Sequence, residues 1–188
     1  MKRLIWLGLL AAGMLAGPLS ADDKDKKADG NVVDLSGVKA PVPAEWKEEK
    51  PSNFLRFKQF KLAKAKDDAN DGELIIFKGL GGSVKDNVQR WKDDFKPPKG
   101  KKAEDLSKVT EMKVADLDAT YVEVEGIYLF KTRPRDPSEK PQERPDHRLL
   151  GVILEVDSTP YQIRLIGPAK TVEQYKKGFD DWLKALKK

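Results

Sequence analysis

The sequence predicts an α+β fold in which an antiparallel sheet packs against two amphipathic helices. Several short segments alternate apolar and polar residues and are joined by turn residues, which is typical of paired strands. Two longer segments, near 84–95 and 171–186, carry apolar residues at helical spacing. The chain has 188 residues and no cysteine, so a core of ordinary size must hold the fold together by packing alone.

The first 21 residues are typical of a cleavable signal peptide. Lys2 and Arg3 precede an apolar stretch over 4–15, and helix-breaking residues then lead to a small residue at Ala21. The stretch is shorter than the roughly 20 residues of a stable membrane anchor. We therefore expect cleavage near Ala21 and a soluble periplasmic or secreted protein with no transmembrane anchor in the mature chain.

The rest of the chain divides into a leader and one domain. Residues 22–31 are mostly charged and predict a disordered leader, whereas 32–188 has the apolar content of a single α+β domain. Loss of Lys2 and Arg3 with the signal peptide lowers the formal net charge from +5 to +3. Because residues of both signs are spread along the chain, we expect a solvated surface and no nucleic-acid partner.

The first half of the domain predicts three extended segments. Prolines within 38–46 favour an extended first strand or a sheet edge. Trp46 ends this segment and is predicted to be buried in the core. Residues 54–62 and 73–78 have strand-like patterns, and the polar stretch 67–72 between them predicts the turn of a hairpin.

The first helix is predicted over 84–95. Ser83 is a good N-cap, and Asp86 stands three residues later, where a capping box places an acidic side chain. Trp91 lies on the apolar stripe and should be buried against the sheet. A lysine-rich loop over 96–102 follows, and it leads to a strand near 108–114.

The second half of the domain predicts a long strand over 119–130, a long mobile loop over 131–147, and two paired strands over 149–156 and 161–166. A terminal helix then begins at Thr171, where Thr171 and Gln174 form a predicted capping box. Its apolar stripe includes Trp182, and two i,i+4 ion pairs are predicted on its surface: Glu173 with Lys177, and Asp180 with Lys184.

Candidate catalytic residues are few. Glu123 and Glu125 lie two apart on a strand, so their carboxylates share a face about 7 Å apart, a separation that suits inverting sugar hydrolysis. Glutamates on a solvated strand face are the commoner situation. His147 is the only histidine, which excludes multi-histidine zinc sites, and no G-x-S-x-G segment could supply a serine partner. We expect His147 on the surface, and no metal or cofactor.

Two turns resemble ligand-binding motifs only in part. The glycine-rich turn from Gly79 to Ser83 precedes a helix, where a phosphate could bind, but it lacks the P-loop lysine and the dinucleotide-binding spacing. The segment from Asp67 to Lys78 places two acids and a glycine as a calcium loop would, yet Ala69 and Lys78 occupy ligand positions. Ordinary turns are predicted at both places.

The lysine loop is the candidate contact surface. Its cations could meet an anionic envelope component such as a lipid headgroup or a cell-wall polymer, or an unknown envelope protein, although a solvated loop has the same composition. The residues of this possible anion or partner site are Lys96, Lys99, Lys101 and Lys102.

The order of these features resembles that of a group of small exported bacterial proteins without assigned activity, whose fold is similar to the PsbP family of photosystem II extrinsic subunits. The resemblance spans most of 41–186. The residues that carry it are mainly packing, turn and cap residues, so it implies a fold rather than a reaction. They are Pro43 to Trp46, Arg56, Gln59, Phe60, Glu73, Leu74, Gly81 to Ser83, Asn87, Arg90, Trp91, Gly167, Pro168 and Phe179.

These observations predict an exported, soluble binding or accessory module without catalytic activity. Long loops on a rigid scaffold tend to collect contact residues, so the expected contact surface borders the loop 96–102 or the loop 131–147. The alternative function is a periplasmic hydrolase that uses the strand carboxylates Glu123 and Glu125.

Overall fold

The computed structural model describes residues 31–133 and 136–188, and in these ranges the protein is an antiparallel sheet structure with two helices. The predicted signal peptide, and the leader up to residue 30, lie outside the described residues. The helices are α1 (Val84–Asp93) and α2 (Ala169–Ala185). The strands are β1 (Val32–Leu35), β2 (Val38–Pro41), β3 (Lys47–Glu49), β4 (Arg56–Leu62), β5 (Gly72–Lys78), β6 (Phe95–Lys96), β7 (Ser107–Val114), β8 (Leu117–Phe130), β9 (Gln142–Val156) and β10 (Thr159–Pro168).

One eight-stranded sheet organises the domain. Its strands follow the order β3-β4-β5-β10-β9-β8-β6, and β7 also pairs with β8, beside β6. Every pairing is antiparallel, so the predicted hairpin β4–β5 and the pair β9–β10 are both confirmed. Strands β1 and β2 form a separate two-stranded sheet.

The side chains of β9 alternate between the two faces of the sheet. Leu150, Val152 and Leu154 belong to the larger core, which α2 and the β1–β2 hairpin cover; we call this side the α2 face. Trp182 of α2 lies there with its ring centroid 5.4 Å from that of Trp46. Both tryptophans are buried, as their positions in the sequence predict.

The opposite side, which we call the α1 face, carries a smaller core around Trp91. The Trp91 ring rests on Gly151 so closely that a Cβ at Gly151 would lie 2.3 Å from its Cζ3 atom. Helix α1 packs against β8 and β6, and its Ser83 cap accepts a hydrogen bond from the Asp86 amide at 3.1 Å, as predicted. The short helix leaves the part of this face over β5 and the end of β10 uncovered.

Helix α2 begins earlier than the sequence predicts. It starts at Ala169, so Thr171 is inside the first turn and buried rather than at the cap. The cap comes from elsewhere in the chain: an Asp68 oxygen accepts from the Thr171 amide at 2.9 Å and from its hydroxyl at 2.6 Å. The predicted capping box of Thr171 and Gln174 is therefore wrong.

The ion pairs of α2 also differ from those predicted. Lys177 pairs with Asp181 and Lys176 with Asp180, whereas Glu173 reaches across to Arg148 of β9.

The predicted loop over 131–147 is shorter than expected, because β9 begins at Gln142. Pro145 can lie in a strand here because β10 pairs with β9 only from His147 onward, which leaves the proline with one neighbouring strand. Pro145 and Asp146 together face the single residue Ile127 of β8, and Asp146 has a φ of 51°. This β-bulge hides the strand pattern in the sequence.

The β1–β2 hairpin joins the far end of the chain. The Lys39 amide donates to the Lys187 carbonyl at 2.8 Å, and the Lys187 amide donates back at 3.1 Å. Among the described helices, neither is long and apolar enough to span a bilayer.

Candidate functional site

A groove of about 290 Å³ opens on the part of the α1 face that the helix leaves uncovered. Its floor includes Ile166 and the backbone of Gly72 and Gly167, where β5 and β10 meet. The two strands come so close that a Cβ on Gly167 would lie 2.8 Å from the Gly72 Cα. Glycine at this crossing therefore permits the close approach of the two strands beneath the groove.

His147 lines one wall of the groove and is only 6% exposed. The predicted surface histidine is therefore wrong, because the bulge turns His147 onto the α1 face beside Tyr128, with ring centroids 6.0 Å apart. Its Nδ1 lies 2.8 Å from the Pro145 carbonyl, which can only accept a hydrogen bond. Nδ1 thus carries the proton, and Nε2 presents a lone pair.

The ring of His147 is held in its neutral form. Burial lowers the pKa of His147. The positive charge of Arg144 also lowers this pKa, whereas the hydrogen bond to the Pro145 carbonyl raises it. Nε2 makes no hydrogen bond within residues 31–133 and 136–188, so its lone pair is available to a molecule in the groove.

Arg144 and two aromatic rings complete this wall. Arg144 lies opposite Tyr128 in the β8–β9 register, and its guanidinium carbon stands 3.6 Å from the centroid of the Phe130 ring. Its one polar side-chain contact in the described chain is a long one, 3.5 Å to Gln142. Burial raises the pKa of the Tyr128 hydroxyl, which therefore stays protonated and can donate a hydrogen bond.

The opposite wall is acidic but largely neutralised. Asp71 pairs with Lys61 at 2.8 Å, and Lys61 together with the Lys64 amide lowers the pKa of Asp71. Glu73 pairs with Arg56 at 2.7 Å. The third acid, Glu49, accepts from the neutral amide of Gln59 at 3.2 Å and has no cation within 4 Å in the described chain.

The lysine loop predicted as a contact surface does not form one cationic patch. Lys96 belongs to β6 and binds Glu143, and Lys102 lies 3.4 Å from Glu104. Lys99 and Lys101 are exposed and have no acidic partner among the described side chains. Two of the four predicted cations are therefore already engaged within the protein.

The strand carboxylates Glu123 and Glu125 both point to the α2 face, away from the groove. Glu123 is half-buried and bonds to Arg148, and its other oxygen lies 3.9 Å from Lys176. Glu125 is exposed. Neither carboxylate lines the groove. The contacts of Lys176 with Glu123 and of Glu173 with Arg148 connect α2 to the sheet.

In both motif-like turns, polar side chains form hydrogen bonds with backbone groups. The buried Asn87 amide donates to the carbonyls of Gly81, Gly82 and Ser83 at 3.0–3.4 Å, which fills the space beneath the glycine-rich turn. In the other turn, Asp68 caps α2, and Asp71 accepts from the Lys64 amide. At both positions the polar side chains thus form hydrogen bonds with the backbone of the protein.

Sequence reasoning missed the groove residues Tyr128, Phe130 and Arg144. The segment containing Arg144 has the composition of a loop, and only its pairing with β8 places it beside the two rings. The available signal was Tyr128 and Phe130 themselves, two aromatic residues that share one face of a predicted strand.

A scan against protein-family models finds no match, and a search of curated proteins finds no significant one. Among solved structures, the chain is similar to a protein of unknown function from Pseudomonas aeruginosa (PA94), with 13% identity and a TM-score of 0.44 over 83% of this chain and 94% of that one.

It is also similar to the cyanobacterial PsbP (CyanoP) of Synechocystis sp. PCC 6803, with 11% identity and a TM-score of 0.44 over 80% of this chain and 85% of that one. The structural neighbours thus include PsbP, whose fold the sequence resembles. This likeness concerns the fold and not the chemistry of the groove.

Proposed function

We propose that this chain is an exported, soluble binding or accessory protein with no reaction of its own. The observation that carries the proposal is the groove wall, which Arg144, Tyr128 and His147 line together. Among the described residues, their side-chain hydrogen bonds are the 3.5 Å contact of Arg144 with Gln142 and the bond between His147 Nδ1 and the Pro145 carbonyl. A concave site with a few convergent polar groups is typical of ligand binding.

The chemistry of the lining favours binding over catalysis. The groove residues include no serine, threonine or cysteine that His147 could activate as a nucleophile. The Nδ1 atom of His147 bonds to a carbonyl rather than to a carboxylate, and two of the three acids are held by cations. These arrangements favour positioning of a ligand over attack by a serine or cysteine nucleophile.

The experiment is a pull-down of the mature protein from its own envelope, with matched variants. Arg144→Gln should reduce capture of the copurifying component, and Arg133→Gln should not, because Arg133 already pairs with Asp136 and Glu139. Lys99→Gln with Lys101→Gln tests the lysine loop as the competing contact surface.

The hydrolase alternative is tested by adding variants of the two strand carboxylates to the groove and loop variants. If Glu123→Gln or Glu125→Gln stays folded but fails to restore function to a deletion strain, while the groove and loop variants do restore it, then the binding proposal fails.

A further inference from the structure

The groove wall presents a cation, a donor and an acceptor side by side. We propose that the groove binds a small organic acid whose carboxylate is held by Arg144 and Tyr128, and whose neighbouring hydroxyl or ammonium group donates to Nε2 of His147. This inference rests on the proposed binding function and names its ligand class. α-Hydroxy acids and α-amino acids share this chemistry.

Arg144 has no carboxylate partner among the described residues, a property that it shares with Arg90. Its guanidinium stacks on Phe130, and its one side-chain hydrogen bond in the described chain is the long contact of 3.5 Å with Gln142. The planar edge of a guanidinium matches the two oxygens of a carboxylate. Four other arginines each have a carboxylate oxygen within 4 Å, and Arg90 bonds to the Asn87 side chain; the four are Arg56, Arg133, Arg148 and Arg164.

His147 is a second, independent pointer to a ligand. His147 lines the groove, and its Nε2 atom makes no hydrogen bond among the described residues although the side chain is only 6% exposed. Because Nδ1 is the protonated nitrogen, Nε2 accepts. A ligand therefore needs a donor near its carboxylate, which acetate lacks and lactate or glycine has.

The charges of the opposite wall are compatible with this ligand. Lys61 and Arg56 neutralise Asp71 and Glu73, so only Glu49 is left without a cation within the described ranges. The walls thus offer one free guanidinium and one free carboxylate, which suits an amino acid at least as well as a hydroxy acid. At about 290 Å³ the groove is of a size for a small molecule.

The single histidine makes the test direct. The imidazole proton resonances of His147 can be followed by NMR at pH 7 and constant ionic strength while lactate, glycine, acetate or glycinamide is added. We expect a saturable shift with lactate or glycine, a weaker response to acetate, and none with glycinamide, which has no carboxylate. Arg144→Gln should weaken the binding about tenfold or more, as loss of a charged hydrogen bond does.

Arg133→Gln is the matched control and should bind as the unaltered protein does. Tyr128→Phe keeps the ring that stacks on His147 and removes only the hydroxyl donor. A several-fold loss of affinity would show that the hydroxyl contacts the ligand. Equal binding by Arg144→Gln, or no saturable shift with either lactate or glycine up to about 100 mM, well above the millimolar range of weak small ligands, overturns the proposal.

The pull-down separates this inference from the proposed function. If neither acid binds but Arg144→Gln still loses its envelope partner, the ligand class is wrong and the binding function stands. If Arg144→Gln changes neither acid binding nor partner capture, both proposals fail.

Discussion

Gly151 determines how closely α1 can pack on the sheet, because the Trp91 ring lies directly on its backbone. A Cβ there would stand 2.3 Å from Trp91, so Gly151→Ala must displace a buried ring. We expect the substitution to destabilise the fold by about 1–3 kcal/mol, as overpacking a core does. The measurement is the midpoint of denaturant unfolding. Gly81→Ala is the control, since a Cβ at Gly81 would meet nothing within 4 Å; equal midpoints for the two variants would contradict the assignment.

The burial of some residues can be predicted from the sequence alone, and that of others cannot. Trp91 and Trp182 are predictable core residues because each lies on the apolar stripe of a helix, and both are buried. The position of His147 is not predictable in this way. A bulge two residues long turns it inward, and the prolines around it disguise the strand.

Helix α2 depends on a cap from a distant turn. Asp68 accepts hydrogen bonds from both the amide and the hydroxyl of Thr171, so Asp68→Ala removes the acceptor for two buried donors. We expect a loss of about 1–2 kcal/mol in the free energy of unfolding, the range of helix N-cap deletions. Asp68→Asn retains an acceptor oxygen and should recover most of the loss. Equal unfolding free energies for Asp68→Ala and the unaltered protein would show that the cap contributes nothing.

At the scale of elements, periodicity identifies both helices and the paired strands, but not where each begins. Thr171 has the residue type of a cap, and the sequence shows no reason to prefer Asp68, which lies about a hundred residues earlier. The start of β9 is hidden for a similar reason, since Pro145 is tolerated in a strand that, among the described residues, pairs on only one side at this point. Both errors come from contacts between distant segments.

For the whole molecule, the first prediction concerns the cellular compartment of the mature protein. We expect the mature protein to begin at or near Asp22 in the soluble envelope fraction or the medium, because a charged start, an apolar stretch and Ala21 occur in the order of a signal peptide. Mass spectrometry of the exported protein measures this directly. Recovery of the intact chain from Met1, held in the membrane, would contradict it.

The fold class is readable from the sequence, whereas the groove is not. An α+β arrangement follows from local patterns, and the antiparallel sheet is observed. The groove combines residues of β3, β4, β5, β8, β9 and β10 with the turn before β5, so it exists only after the strand order is known. Arg144 and Glu73 line the same groove because of the strand order, and their spacing along the chain does not predict this.

The hydrogen bonds between Lys39 and Lys187 affect the timing of folding. A ribosome makes residue 39 long before residue 187, so the hairpin that holds Lys39 cannot complete its packing until α2 has also been synthesised. Early parts of the larger core, such as Leu35 and Trp46, therefore stay uncovered while translation proceeds. For the export that we propose, this order of synthesis means that the chain can reach a translocation channel before its larger core is complete.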